Sequence, residues 1–125
     1  MDISALTKQE FTAWVPFEDG AEVLIRYVPR DVLVDIGRRA VVVKLDPKTR
    51  KETREYDPIA ADCMIAAAAV VDWKGFEVDG QDFPCTPENL ETLVRKWGAF
   101  SRFISESCVS VGILAASEAA ETEKN

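Results

Sequence analysis

No histidine occurs anywhere in the 125 residues. Its absence excludes catalysis through a histidine base and removes the commonest partner ligand of a zinc site. Cysteine is scarce too. Cys63, Cys85 and Cys108 are an odd number, widely separated, which argues against a secreted disulfide framework and fits no zinc spacing. They read as small buried hydrophobes in a reducing cytosol. No apolar run reaches the length of a membrane span, and the opening Met1-Asp2-Ile3-Ser4-Ala5-Leu6-Thr7 lacks the basic start and apolar core of a signal peptide. The expectation is a cytoplasmic protein. Positive charge is in deficit, 15 Lys and Arg against 22 Asp and Glu, and the net of -7 repels phosphate backbones and anionic lipid. Neither nucleic acid nor membrane is therefore expected as a partner.

Motifs for chemistry are missing as well. No Gly-Lys-Ser/Thr follows Gly75 or Gly80, so neither belongs to a phosphate-binding loop. Asp72, Asp79 and Asp82 depart from the calcium-loop spacing and lack its closing glutamate, which leaves a solvated acidic loop as the simpler reading. Ser101 and Ser107 match no nucleophile motif. The sequence is that of a protein with no catalytic residue, metal site or cofactor, and it is read as not an enzyme.

What is there is a core. Apolar residues make up 47% of the chain and are spread along it, as a globular domain of this length requires. The expected fold class is α+β: a mainly helical single domain over residues 11–117 with an N-terminal β-hairpin. A loosely ordered lead-in covers residues 1–10 and a disordered polar tail residues 118–125. The hairpin arms are 12–17 and 22–28, turning at Asp19-Gly20. Val23, Ile25 and Tyr27 face one way and Glu22 and Arg26 the other, with Pro16 confining the first arm to a sheet edge. From Arg30 to about Val43 the residues Val32, Leu33, Ile36, Ala40 and Val43 lie at helical spacing. The run Val41-Val42-Val43 equally favours a second hairpin turning at Asp46-Pro47-Lys48-Thr49, and both readings stay open over 40–56. Lys48 to Glu55, without apolar anchors, reads as a solvated loop.

Asp57-Pro58 opens the next helix with a cap and a first-position proline. Ile59, Cys63, Ala66, Ala67 and Val70 share one face, but Met64, Ile65, Ala68, Ala69 and Val71 leave little polar surface opposite. Such a helix is either the centre of the core or one side of an oligomer interface, and the core is the simpler reading. A connector carrying Trp73, Phe76 and Phe83 turns at Gly75 and Gly80 and leads to Thr86-Pro87, a second helix start. Its capping box is incomplete because Asn89 stands where Glu or Gln would close it. Leu90, Leu93, Val94 and Trp97, then Phe100, Phe103, Ile104, Cys108, Val111 and Ala115, continue as two helices, or one kinked at Gly98.

The order of an apolar helix, Asp72-Trp73-Lys74-Gly75, a short acidic linker, Pro84-Cys85-Thr86-Pro87-Glu88-Asn89-Leu90 and an amphipathic helix resembles the tail assembly chaperones of long-tailed bacteriophages and their prophage copies. The likeness extends through Ile25 to Arg30 and Asp46 to Thr49, covering about residues 10–110 as one domain. It implies a protein of the bacterial host cytoplasm that binds the tape-measure protein, keeps it soluble, and helps recruit tail tube subunits before being left out of the virion. Such families often also make a longer frameshifted form, which a protein sequence does not reveal. On this resemblance the partner surface, or a self-association surface giving a homo-oligomer, is assigned to Ile65, Ala69, Trp73, Leu90, Leu93, Val94, Trp97, Phe100 and Ile104. Trp73 and Trp97 read more simply as core. Two other readings are a small structural tail or connector subunit retained in the particle, and a small enzyme with a carboxylate site around Asp72 to Asp82.

Overall fold

Asp19 and Gly20 both sit at positive φ, 51° and 81°, so the chain reverses tightly and β1 (Thr12–Pro16) pairs antiparallel with β2 (Glu22–Arg26). That is the expected hairpin, seen in a computed structural model that describes residues 1–4 and 11–124, with side chains to Ile113. A third strand, β5 (Val70–Lys74), pairs with the other side of β2, giving the order β1-β2-β5 with Pro16 on the edge. Val23 and Ile25 are fully buried beneath this sheet. On its outer side Lys74 bonds Glu22 at 2.9 Å and lies 4.5 Å from the centre of the Trp14 ring.

After β2, helix α1 (Arg30–Arg39) begins behind Pro29 and ends at Ala40. The strands β3 (Val41–Leu45) and β4 (Glu52–Tyr56) then form the second hairpin, turning through Asp46 to Arg50. The reading of a helix to Val43, and of a loop from Lys48 to Glu55, is thus corrected. Three valines in a row prefer the extended backbone, and cross-strand pairing from Val41–Tyr56 to Leu45–Glu52 supplies the hydrogen bonds that a helix would have supplied.

Helix α2 (Pro58–Ala69) starts as expected, its Asp57 carboxylate accepting from the amides of Ile59 and Ala60 at 3.1 and 3.2 Å. Helix α3 (Pro87–Lys96) starts likewise, with the Thr86 hydroxyl accepting from Asn89 at 3.1 Å. Asn89 uses its side chain differently from a box-closing glutamate: its amide donates to the Pro84 carbonyl at 2.9 Å, tying the connector to the helix. Helix α4 (Gly98–Lys124) follows directly, so α3 and α4 are separate helices. Its helical backbone continues through residues 118–124, where composition suggested a disordered tail. Ala115 has no described side chain. Most of the lead-in, residues 5–10, lies outside the described residues, as does Asn125.

Helices α2 and α4 both lie against β2, and the core forms between them and the sheet. Its centre is a cluster of rings. Phe100 is wholly buried, with Phe17, Trp73, Phe76 and Trp97 at centroid distances of 5.7, 6.1, 5.8 and 6.0 Å. The Trp73 indole N–H donates to the Phe83 carbonyl at 2.7 Å, so its polar end is satisfied where it is buried. At the far end of α4 the Tyr27 ring lies over Gly112, where an added Cβ would come within 2.3 Å of it. A smaller core of Ile36, Ala40 and Ala61 joins α1 to α2. The expected fold class holds: a single small α+β domain with four helices and small antiparallel sheets among the described residues.

Candidate functional site

The pairing of β2 with β5 slips by one residue between Leu24 and Ile25, since Leu24 faces Asp72 whereas Ile25 faces Val70. Val71 is left as the extra residue of a bulge. In a regular strand it would share the inward side of Trp73, two positions on. The bulge turns it outward instead, where it is 40% exposed. It thereby becomes part of the wall of a groove.

That groove, about 470 Å³, runs between α2 and α3. Met64 and Ala67 on α2 and Val71 on β5 form one side, and Cys85, Pro87 and Leu90 the other. Cys63 and Val70 complete the α2 side, at spacings of i, i+4 and i+7 from one another through Ala67. The periodic face Cys63, Ala67 and Val70 was therefore visible in the sequence, but as a core face. The structure gives the core to Ala61, Ala66 and Ala69 and exposes Ile59 and Ala67. An α2 apolar all round offers no pattern by which to tell the two sides apart.

Most of the nine residues assigned to partner binding lie elsewhere. Ala69, Trp73, Phe100 and Ile104 are buried in the domain's own core, away from the groove, and Leu90 and Val94 are buried but for a small remainder. Ile65 and Leu93 are half-buried against that core. Trp97 is 36% exposed, its ring 5.2 Å from Phe17 and 6.0 Å from Phe100. Leu90 alone of the nine edges the groove, and Val94 edges a more polar depression beside Arg95 and Ser101. Met64, Val71, Cys85 and Pro87 were missed. The signal that could have singled out Cys85 and Pro87 is their place on either side of the Thr86 cap that starts α3.

Chemically the groove is quiet. Among the described residues no cluster of His, Cys, Asp or Glu is placed to hold a metal ion, and no buried side-chain polar atom lacks a hydrogen-bond partner. Asp72, Asp79 and Asp82 are exposed. Burial pushes the thiols of Cys63, Cys85 and Cys108 above their ordinary values, with the Asp72 charge adding to the effect at Cys85. Since the thiolate is the reactive form, alkylation of Cys63 and Cys85 by iodoacetamide should be slow at neutral pH. It should still be accelerating as pH passes the ordinary thiol value. Cys108, buried on α4, should react only on unfolding. Mass spectrometry of the modified sites over a pH series checks both statements, and fast labelling of Cys85 at neutral pH would contradict them.

Among the described residues no helix is long and apolar enough to cross a membrane. Residues 18–125 match the model of a family described as YdaY prophage protein. No curated protein and no solved structure matches the chain.

Proposed function

The chain belongs to the YdaY prophage protein family, and we propose that it is a tail assembly chaperone-like protein whose α2–α3 groove holds an apolar helical segment of the phage tape-measure protein. The observation that carries this reading is the groove itself: an open channel of about 470 Å³ lined by Met64, Ala67, Val71, Cys85 and Leu90, with Glu91 at its rim. Grooves of this kind accept an amphipathic helix through anchors at i, i+3 or i+4, and i+7. Small Ala67 in the floor lets such a helix approach closely, and Glu91 favours a partner with basic residues flanking its apolar stripe. The net charge of -7 would keep the loaded complex dispersed. The setting is the bacterial host cytoplasm, and tail tube subunits are the second class of partner.

Ala67→Arg tests the groove. Position 67 is exposed on α2, so the fold should survive while the floor is filled by a long charged side chain. Co-expression with the neighbouring tape-measure protein should yield soluble complex with the wild-type chain. With Ala67→Arg the complex should weaken by roughly tenfold or more, as expected when an unpaired charge meets an apolar contact. Val34→Arg, on the exposed side of α1, is the matched control. A tape measure equally insoluble with and without the wild-type chain would end the proposal. Mass spectrometry of purified particles separates this reading from the alternative of a structural tail subunit, since a chaperone should be absent from the virion and a tail subunit present.

A further inference from the structure

Helix α4 starts at Gly98, directly behind Trp97, whose indole only donates and so cannot cap it. Its first backbone bond runs from the Ser101 amide to the Trp97 carbonyl at 3.2 Å, so the amides of Gly98, Ala99 and Phe100 have no acceptor within the helix. The first turn holds no acid, and the positive end of a 27-residue helix lacks a counter-charge there. Gly98 lines a depression of about 460 Å³ between α2, α3 and α4. Ser101, Arg102 and Ser105 line it too, at i+3, i+4 and i+7 from Gly98, so the four form one face of the helix. Ser101 is only 8% exposed, yet among the described residues its hydroxyl has no hydrogen-bond partner. No fully enclosed side-chain polar atom among those residues is unpartnered, so this hydroxyl is open on the side where Ser101 lines the depression. Such a group is costly to leave unpaired and gains from a ligand that bonds it.

We propose that this depression binds a phosphate group, taken free or as a monoester. Two guanidinium groups and one carboxylate line it, a local excess of positive charge in a chain of net charge -7. Arg102 forms no ion pair among the described residues. Arg95 spends only its Nε on Glu91, at 2.9 Å, and keeps its terminal amino groups for another acceptor. The carboxylate is Asp62 on α2, which lowers the positive charge without cancelling it. A phosphate carries a charge of about -1.5 to -2 at neutral pH and three acceptor oxygens, enough for both arginines, the Ser101 hydroxyl and the helix end. A carboxylate, with one charge and two oxygens, would leave donors unused. None of these residues lines the α2–α3 groove, so the site stands or falls apart from the chaperone reading.

The test titrates the full-length chain with inorganic phosphate at an ionic strength held constant with sodium chloride. The amide NMR signals of Gly98, Ala99 and Ser101 should shift to saturation. Ser101→Ala should weaken phosphate binding by roughly threefold or more, while its Tm stays level or rises because the hydroxyl removed makes no internal bond. Ser107→Ala, buried on the same helix but outside this depression, should leave the affinity unchanged. Arg102→Gln, at an exposed position, should weaken binding by roughly tenfold or more. Asp62→Asn should tighten it, a change of opposite sign that a merely structural role would not produce. O-phosphoserine distinguishes the sources: tighter binding than inorganic phosphate assigns the group to a phosphorylated carrier, and weaker binding to the free ion. Signals that never saturate, acetate bound as tightly as phosphate, or an affinity indifferent to Ser101→Ala and Arg102→Gln would each overturn the proposal and leave an adventitious ion only.

Discussion

Replacing Phe100 with alanine is expected to destabilise the domain by about 3–5 kcal/mol, the cost of removing a fully buried phenylalanine and leaving its cavity. Phe100 has no exposure, and four other rings lie within 6.1 Å of its centre, drawn from β1–β2, the connector and α3. The hole cannot collapse readily because those rings are held separately. Trp73 is anchored by its bond to the Phe83 carbonyl, and Phe17 is braced by Phe103 at 4.7 Å. In a chain of this size the loss corresponds to a fall in Tm of roughly 10–20 °C. Calorimetry of the variant measures it, and Phe100→Leu, which keeps most of the volume, should lose much less. A fall of only a few degrees for Phe100→Ala would mean that the rings are not the centre of the core.

Gly75→Ala should be the second most damaging change, at about 2–4 kcal/mol from a left-handed backbone and an overpacked contact together. Gly75 sits at φ 86°, and a Cβ there would lie 2.9 Å from the Ala21 Cα. Backbone cannot swing away as a side chain can. Gly80→Ala separates the two causes, because Gly80 has nearly the same φ, 77°, and nothing within 4 Å of an added Cβ. It should cost about 1–2 kcal/mol, the conformational part alone. Chemical denaturation of both variants gives the comparison, and equal losses would show that the approach of the connector to the hairpin turn carries no strain. The contact also bears on the groove, because Gly75 follows the strand whose bulge presents Val71 to it.

The starts of α2 and α3 could be read directly, since a cap and a first-position proline act within one helical turn. The first hairpin could be read for a similar reason, with Asp19-Gly20 flanked by alternating apolar residues. The same dipeptide at Asp79-Gly80 makes a second such turn, both residues at positive φ, between β6 (Glu77–Val78) and β7 (Gln81–Asp82). It was read as a turn within a solvated acidic loop, not as a hairpin, because Glu77, Gln81 and Asp82 provide no apolar arm to announce a strand. The β3–β4 hairpin was one of two open readings for the opposite reason. Val41, Val42 and Val43 suit a strand or the end of an amphipathic helix, and the charged second arm did not discriminate. Gly112, which seats Tyr27, drew no notice within the α4 stripe, since its use depends on a ring far away in the chain.

Taken by itself, the sequence determined the α+β class, the caps, the turn at Asp19, the break at Gly98 and the rings that fill the core, because each depends on residues a few positions apart or on hydrophobicity alone. The tertiary structure alone decided which side of α2 is covered, that Val71 leaves the core through a bulge, and that both strands of the β3–β4 hairpin are left exposed. Those outcomes depend on how much surface distant segments can cover. An alanine-rich helix and a valine-rich strand are apolar in every direction, so only packing could choose which of their faces would be left open.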